Sequence, residues 1–281
     1  MSKREVIKTV AGTRTTDGAG VKLVRVIGHG DVADFDPFLM LDAFDSTDPN
    51  DYVKGFPWHP HRGIETVTYL VRGRIEHGDS LGNRGVIDDG CCQWMTAGSG
   101  VIHQEMPQPS QRMLGFQLWL NLPRKDKMTE PQYRDLTASR IPVVQRQGAA
   151  VAVVAGQYEG VTGAATGDYV PLTLLDVQLQ AGQRWALPTE QEDKVFLYVM
   201  EGTGAFGQAG TAVDHHHAAL LGQGEFVDAT AGEAGTRFIL FMGRPIGEPV
   251  AWGGPIVMNT MEELRLAFDE LQQGSFLKHM K

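Results

Sequence analysis

The chain has 281 residues, enough for two domains of ordinary size or one large β barrel. With 42% hydrophobic and 21% charged residues it reads as a well-buried globular protein, which excludes a disordered chain. A formal net charge of −9 argues against direct contact with nucleic acid or an anionic membrane.

The N-terminus, MSKREVIKTVAG, has no apolar core of the signal-peptide kind, and no run of about 18 apolar residues follows. A soluble, cytoplasmic protein is therefore expected. Residues 6–26 read as short strands, VIKTVAG and then VKLVRVIG beyond an Asp17-Gly18 turn. The apolar residues 34–44 predict a strand entering the core, with Pro37 near its start. Residues 45–51, DSTDPND, form a polar surface loop. Residues 64–71 are β-branched and aromatic, turn at Arg72-Gly73-Arg74, and return over 75–79. Residues 91–96 and 114–122 supply further strands, the latter alternating cleanly in LGFQLWLNL. The adjacent Cys91 and Cys92 are poorly placed to bridge each other and read as small hydrophobes on alternate faces of a strand.

Residues 126–147 are polar, contain Pro131 and Pro142, and show no period, which predicts a linker. Beyond it the strand-and-glycine style resumes in VAVVAG, PLTLLDVQL, KVFLYVMEG, AALLG and TRFILFMG, as a duplicated β domain would show. Thr260-Met261-Glu262-Glu263 fits a capping box, and Met261, Leu264, Phe268 and Leu271 lie at helical spacing before Gly274. That stripe predicts a helix packed across a barrel.

Chemistry concentrates between Gly55 and Glu105. His59-Pro60-His61 and His103-Gln104-Glu105 each place two donors two residues apart, so on a strand they share a face at about 6.6 Å spacing. Two such strands facing each other offer three imidazoles and a carboxylate to one ion. Glu105 ranks first as the carboxylate. Glu65 has matching parity but lies about 13 Å beyond His61 on a straight strand, unless Gly63 bends the chain. His77 comes third, and Glu65 could instead orient an imidazole. Such a donor set suits Fe, Zn, Cu or Ni rather than Mg or Ca. In the second half, LPTEQED stands where WHPHRGIE stood, and His215-His216-His217 read as a partly exposed polar strand.

The stretches DPFLMLDAF (36–44), GFPWHPHRGIETVTYLVRG (55–73), QWMTAGSGVIHQEMP (93–107), LWLNLP (118–123), EPQY (130–133) and GPIVMNT (254–260) together resemble the pirin family of the cupin superfamily. The resemblance implies an all-β fold of two tandem cupin barrels, the double-stranded β-helix or jelly roll, with a C-terminal α-helix. The implied division is 1–136 for a metal-binding barrel, 137–147 for the linker, and 148–281 for a metal-free barrel with the helix. It further implies one Fe(II) per chain, or another divalent transition metal, on His59, His61, His103 and Glu105, with Glu105 also the catalytic base. The implied activity is a quercetinase-like dioxygenase opening a flavonol with O2 and releasing CO. Other pirins act as iron-dependent regulators of a protein partner, and a monomer is expected. A cavity beside the metal large and apolar enough for a flavonol would favour the enzyme.

Overall fold

A computed structural model describes residues 2–279. They form an all-β architecture in two compact units, residues 13–32, 38–138 and 246–279 making the first and residues 2–12, 33–37 and 139–245 the second. The ends of the chain therefore group otherwise than the linear division at 136–148 implied. The strand Val6–Ala11 pairs antiparallel with His217–Leu221, so its backbone groups are satisfied in the second unit. The helix Met261–Gln272 packs Leu264 and Ala267 against Ala251, Ile256 and Phe276 of the first unit.

In the first unit a seven-stranded sheet runs in the order Gln132–Leu136, Cys92–Thr96, Ile64–Arg72, Met113–Asn121, Phe38–Ser46, Val21–Ile27, Thr13–Asp17. A four-stranded sheet runs Phe56–His61, Val101–Pro107, Ile75–Asp79, Arg84–Ile87. Glu105 on the smaller sheet is hydrogen-bonded by Thr68 and Gln117 on the larger, so the sheets face each other across these side chains. Apolar residues close the interior to either side, Leu70, Ile75 and Met113 in one cluster and Ile64, Met95 and Trp119 in another. The second unit is built on a nine-stranded sheet around an apolar cluster that includes Trp185, Leu197, Phe206, Phe238 and Leu240.

Several elements differ from expectation. The chain at Val32–Phe35 takes a short helical turn before the strand Phe38–Ser46 begins. The expected linker contains two strands, Gln132–Leu136 and Val143–Arg146. The first shows no apolar alternation because its order comes from the ladder it completes along Cys92–Thr96. The second forms a hairpin to Ala149–Ala155 through Gly148, whose φ of +73° suits glycine. His215 and His216 lie in the turn between Thr211–Asp214 and His217–Leu221 rather than on a strand. The helix is capped as its sequence predicts, with Glu263 N–H donating to Thr260 Oγ1 at 3.1 Å and Thr260 N–H to Glu263 Oε2 at 2.9 Å. Its expected stripe is corrected at one end. Met261 is 56% exposed and takes no part in the cluster that holds Leu264. No helix among the described residues is long and apolar enough to cross a membrane.

Candidate metal centre and cavity

Antiparallel pairing of Val101–Pro107 with Phe56–His61 puts His103 directly opposite His59. His61 follows on the same face because side chains alternate along the strand. The ring centroids are then 4.8 Å apart for His59 and His61, 4.3 Å for His59 and His103, and 5.0 Å for His61 and His103. One nitrogen from each of the three lies within 4.8 Å of the others.

Hydrogen bonds set the tautomers. His59 Nδ1 is 2.9 Å from the Pro57 carbonyl and His61 Nδ1 is 3.1 Å from the Pro255 carbonyl. Each therefore carries its proton on Nδ1 and turns an Nε2 lone pair inward. Those two Nε2 atoms are 3.1 Å apart. Two nitrogens held about 2.1 Å from a common ion at right angles would stand about 3 Å apart. Without a cation, facing lone pairs at this distance repel. His103 is fully buried and neither of its ring nitrogens has a hydrogen-bond partner. Burial pulls its pKa well below the ordinary imidazole value, helped by the neighbouring His61 and His59. Burial likewise brings His61 down to about 3. Both rings are neutral at pH 7, the form that ligates. The residues fit a transition-metal ion.

The fourth donor behaves differently. Glu105 is buried, and Gln117 Nε2 donates to both of its carboxylate oxygens, at 2.9 and 2.7 Å, while Thr68 Oγ1 donates to Oε1 at 3.2 Å. Its oxygens are not part of the converging group formed by the three imidazoles. Glu65 stands on the opposite sheet, where Thr96 Oγ1 donates to its Oε1 at 2.6 Å. Gly63, at φ +78°, turns the chain out of the histidine strand, and a Cβ there would meet the Val257 carbonyl at 1.9 Å. That turn carries Glu65 into the other sheet rather than back to His61. His77 packs 5.3 Å from the His103 ring, stacks on Tyr133 at 4.7 Å, and stays outside the group.

A cavity of about 530 Å³ opens beside the imidazoles, bordered by His59, His61, Gln117, Trp119, Phe56 and Trp252. Trp119 meets His61 edge-on at 4.9 Å, lies 5.8 Å from Trp252, and His29 stacks on Trp252 at 3.7 Å. An aromatic wall thus runs outward from the histidines. At the side, Arg25 is paired with buried Asp42 through bonds of 2.9 and 2.7 Å and with Asp17 at 2.8 Å, so two carboxylates balance the guanidinium that borders the space. Sequence reading missed Gln117, Trp119 and Trp252. A glutamine inside the apolar run LGFQLWLNL was the available signal for the first.

The family model described as Pirin matches residues 20–120, and that described as Pirin C-terminal cupin domain matches residues 174–277. A pirin-like protein of Caulobacter vibrioides is 46% identical over 279 residues, covering 98% of this chain and 100% of that protein. A pirin-like protein of Solanum lycopersicum is 41% identical over 273 residues, 96% of this chain and 92% of its own length. The crystal structure of quercetin 2,3-dioxygenase from Acinetobacter baumannii superposes with a TM-score of 0.89 at 31% identity, covering 98% of this chain and 99% of that one.

Proposed function

Since the chain belongs to the pirin family of two-barrel cupins, we propose that it is a non-haem iron dioxygenase that opens flavonols such as quercetin with O2 and releases CO. One observation carries the reading: of three converging imidazoles, His59 and His61 border a cavity of about 530 Å³ walled by Trp119, Trp252 and Phe56. That volume is in the range that encloses small organic ligands, and it favours an enzyme over a protein that only presents a surface. The similarity to the quercetin 2,3-dioxygenase of Acinetobacter baumannii supports the substrate class.

His59, His61 and His103 would hold Fe(II) through the nitrogens that face one another. Bound there, the ion would supply Lewis acidity, favouring the deprotonated form of a flavonol's 3-hydroxyl. Glu105, two residues from His103 on the same strand, would take that proton at an oxygen now bonded to Gln117. Trp119 and Trp252 present flat faces against which fused rings stack. The apolar wall also keeps water from the reacting carbon.

Anaerobic loading with Fe(II), followed by an aerobic quercetin assay with detection of CO, tests the reading. Turnover with CO in the parent is expected, lost with the metal in His103→Ala and reduced at least about a hundredfold in Glu105→Ala with metal retained. No turnover by a parent carrying one Fe(II) per chain would exclude flavonols as substrates.

A further inference from the structure

We propose that Gln117 decides whether the Glu105 carboxylate joins the three imidazoles or is held apart from them, and that the occupant of the cavity controls this choice. The inference rests on the reading of His59, His61 and His103 as a metal centre.

Gln117 stands on the strand Met113–Asn121, opposite Thr68 on one neighbouring strand and Asp42 on the other. Its Nε2 lies 2.9 Å from Glu105 Oε1, 2.7 Å from Oε2 and 3.1 Å from Thr68 Oγ1. One amide nitrogen thus spans both carboxylate oxygens, covering the edge by which a carboxylate chelates a cation. Thr68 closes the arrangement by donating to Oε1 at 3.2 Å. The other end of the amide is fixed as well, because Trp119 Nε1 donates to Gln117 Oε1 at 3.2 Å. Rotating the amide by half a turn would break that bond and aim a carbonyl oxygen at the carboxylate. The clamp therefore has one stable orientation and points its N–H groups at Glu105.

Gln117 and Trp119 both border the cavity, so the clamp is in reach of a ligand. Trp119 also touches the ring of His61, with centroids 4.9 Å apart. A planar ligand that rests on Trp119 and offers an oxygen acceptor to Gln117 competes for the same amide hydrogens. When the ligand takes them, Glu105 loses two of its three hydrogen bonds and is released to act as ligand or base. An empty cavity keeps the carboxylate clamped. An oxygen-bearing planar ring then recruits its own base, which couples proton removal to occupancy.

Co(II) is the probe, followed by calorimetric titration and visible absorption, in the parent, Gln117→Leu, Trp119→Phe, Glu105→Gln and the Gln117→Leu/Glu105→Gln double variant. Far-UV circular dichroism checks that each is folded. Gln117→Leu should bind Co(II) about tenfold more tightly, the scale on which groups around the ligands tune metal affinity. Its d–d bands should weaken in intensity as the coordination number rises. Trp119→Phe keeps an aromatic ring against His61 and removes the N–H together with the second ring, so it should move both readouts the same way by less. The gain should vanish in the double variant. Equal or weaker Co(II) binding by Gln117→Leu, with a parent that binds one Co(II), overturns the clamp and leaves the metal centre standing. A gain that survives Glu105→Gln also overturns it. A folded parent that binds no Co(II) overturns both readings.

Discussion

Lys127 shows how single side chains hold the turn behind the histidines. It is 1% exposed, and its Nζ donates to Asn121 Oδ1 at 2.7 Å, to the Gly63 carbonyl at 2.9 Å and to the Val257 carbonyl at 3.0 Å. Three acceptors match three N–H groups, so the turn at Gly63 is tied to the strand Ile256–Met258. All three partners are uncharged, and burial brings the ammonium down to about 7 from its ordinary value of 10.5. Between those two values the unfolded chain keeps a proton that the folded chain has released. Stability from this group therefore rises with pH across the window and is level below it. Urea denaturation of the parent and of Lys127→Met at pH 7 and pH 9.5 should show the difference moving in favour of the parent, by about 1 kcal/mol per pH unit. A difference that stays flat or falls would mean that the ammonium remains charged when buried.

Among the elements, the C-terminal segment and the histidine strand are joined by Arg62, the residue after His61. The guanidinium is 2% exposed, donates to the carbonyls of Ser99 and Phe276 at 2.7 Å each, and pairs with Glu270 Oε2 at 2.7 Å. It also covers the Phe276 ring at 4.2 Å. Because Glu270 is partly open to water, removing its partner strands less charge than a fully buried pair would. Arg62→Leu should cost about 3 kcal/mol in urea denaturation, with faster amide exchange in the helix Met261–Gln272 than in the strand Ile64–Arg72. Uniform exchange in both would place the loss elsewhere. Parity along a strand made the link invisible in the sequence. Arg62 alternates with His61, so it faces away from the imidazoles, toward a segment roughly two hundred residues onward that no local pattern connects to it.

At the scale of the molecule, the described residues contain one group of three converging metal-binding side chains, and it lies in the first unit. In the second unit an apolar cluster with Trp185, Phe206 and Phe238 fills the centre, and no such group is found there among the described residues. Metal loading should therefore saturate at one ion per chain. With free Co(II) at about a hundred times its Kd, the unit that holds it should gain about 2.7 kcal/mol by mass action. Calorimetric scans with and without Co(II) should show that shift in the parent and its loss in His103→Ala. Two tightly bound ions per chain would point to a site in the second unit.

Local periodicity determined much of this protein. Alternation alone sent His59 and His61 to one face, the Thr260-Met261-Glu262-Glu263 signature placed the start of the helix, and the β runs on both sides of residues 126–147 announced a duplicated β domain. These features depend on neighbours within a few residues, which a sequence displays directly. What lies across a sheet depends on register, and only the tertiary structure decided that. The turn at Gly63 puts Glu65 in the larger sheet while Glu105 stays in the smaller one, although both have the required parity. The Gln117 amide on Glu105, the Trp119 wall and the pairing of Val6–Ala11 with a strand more than two hundred residues away come from the same source. Hydrogen bonds between strands distant in sequence set those positions, and their energy is shared among residues whose order along the chain carries no trace of it.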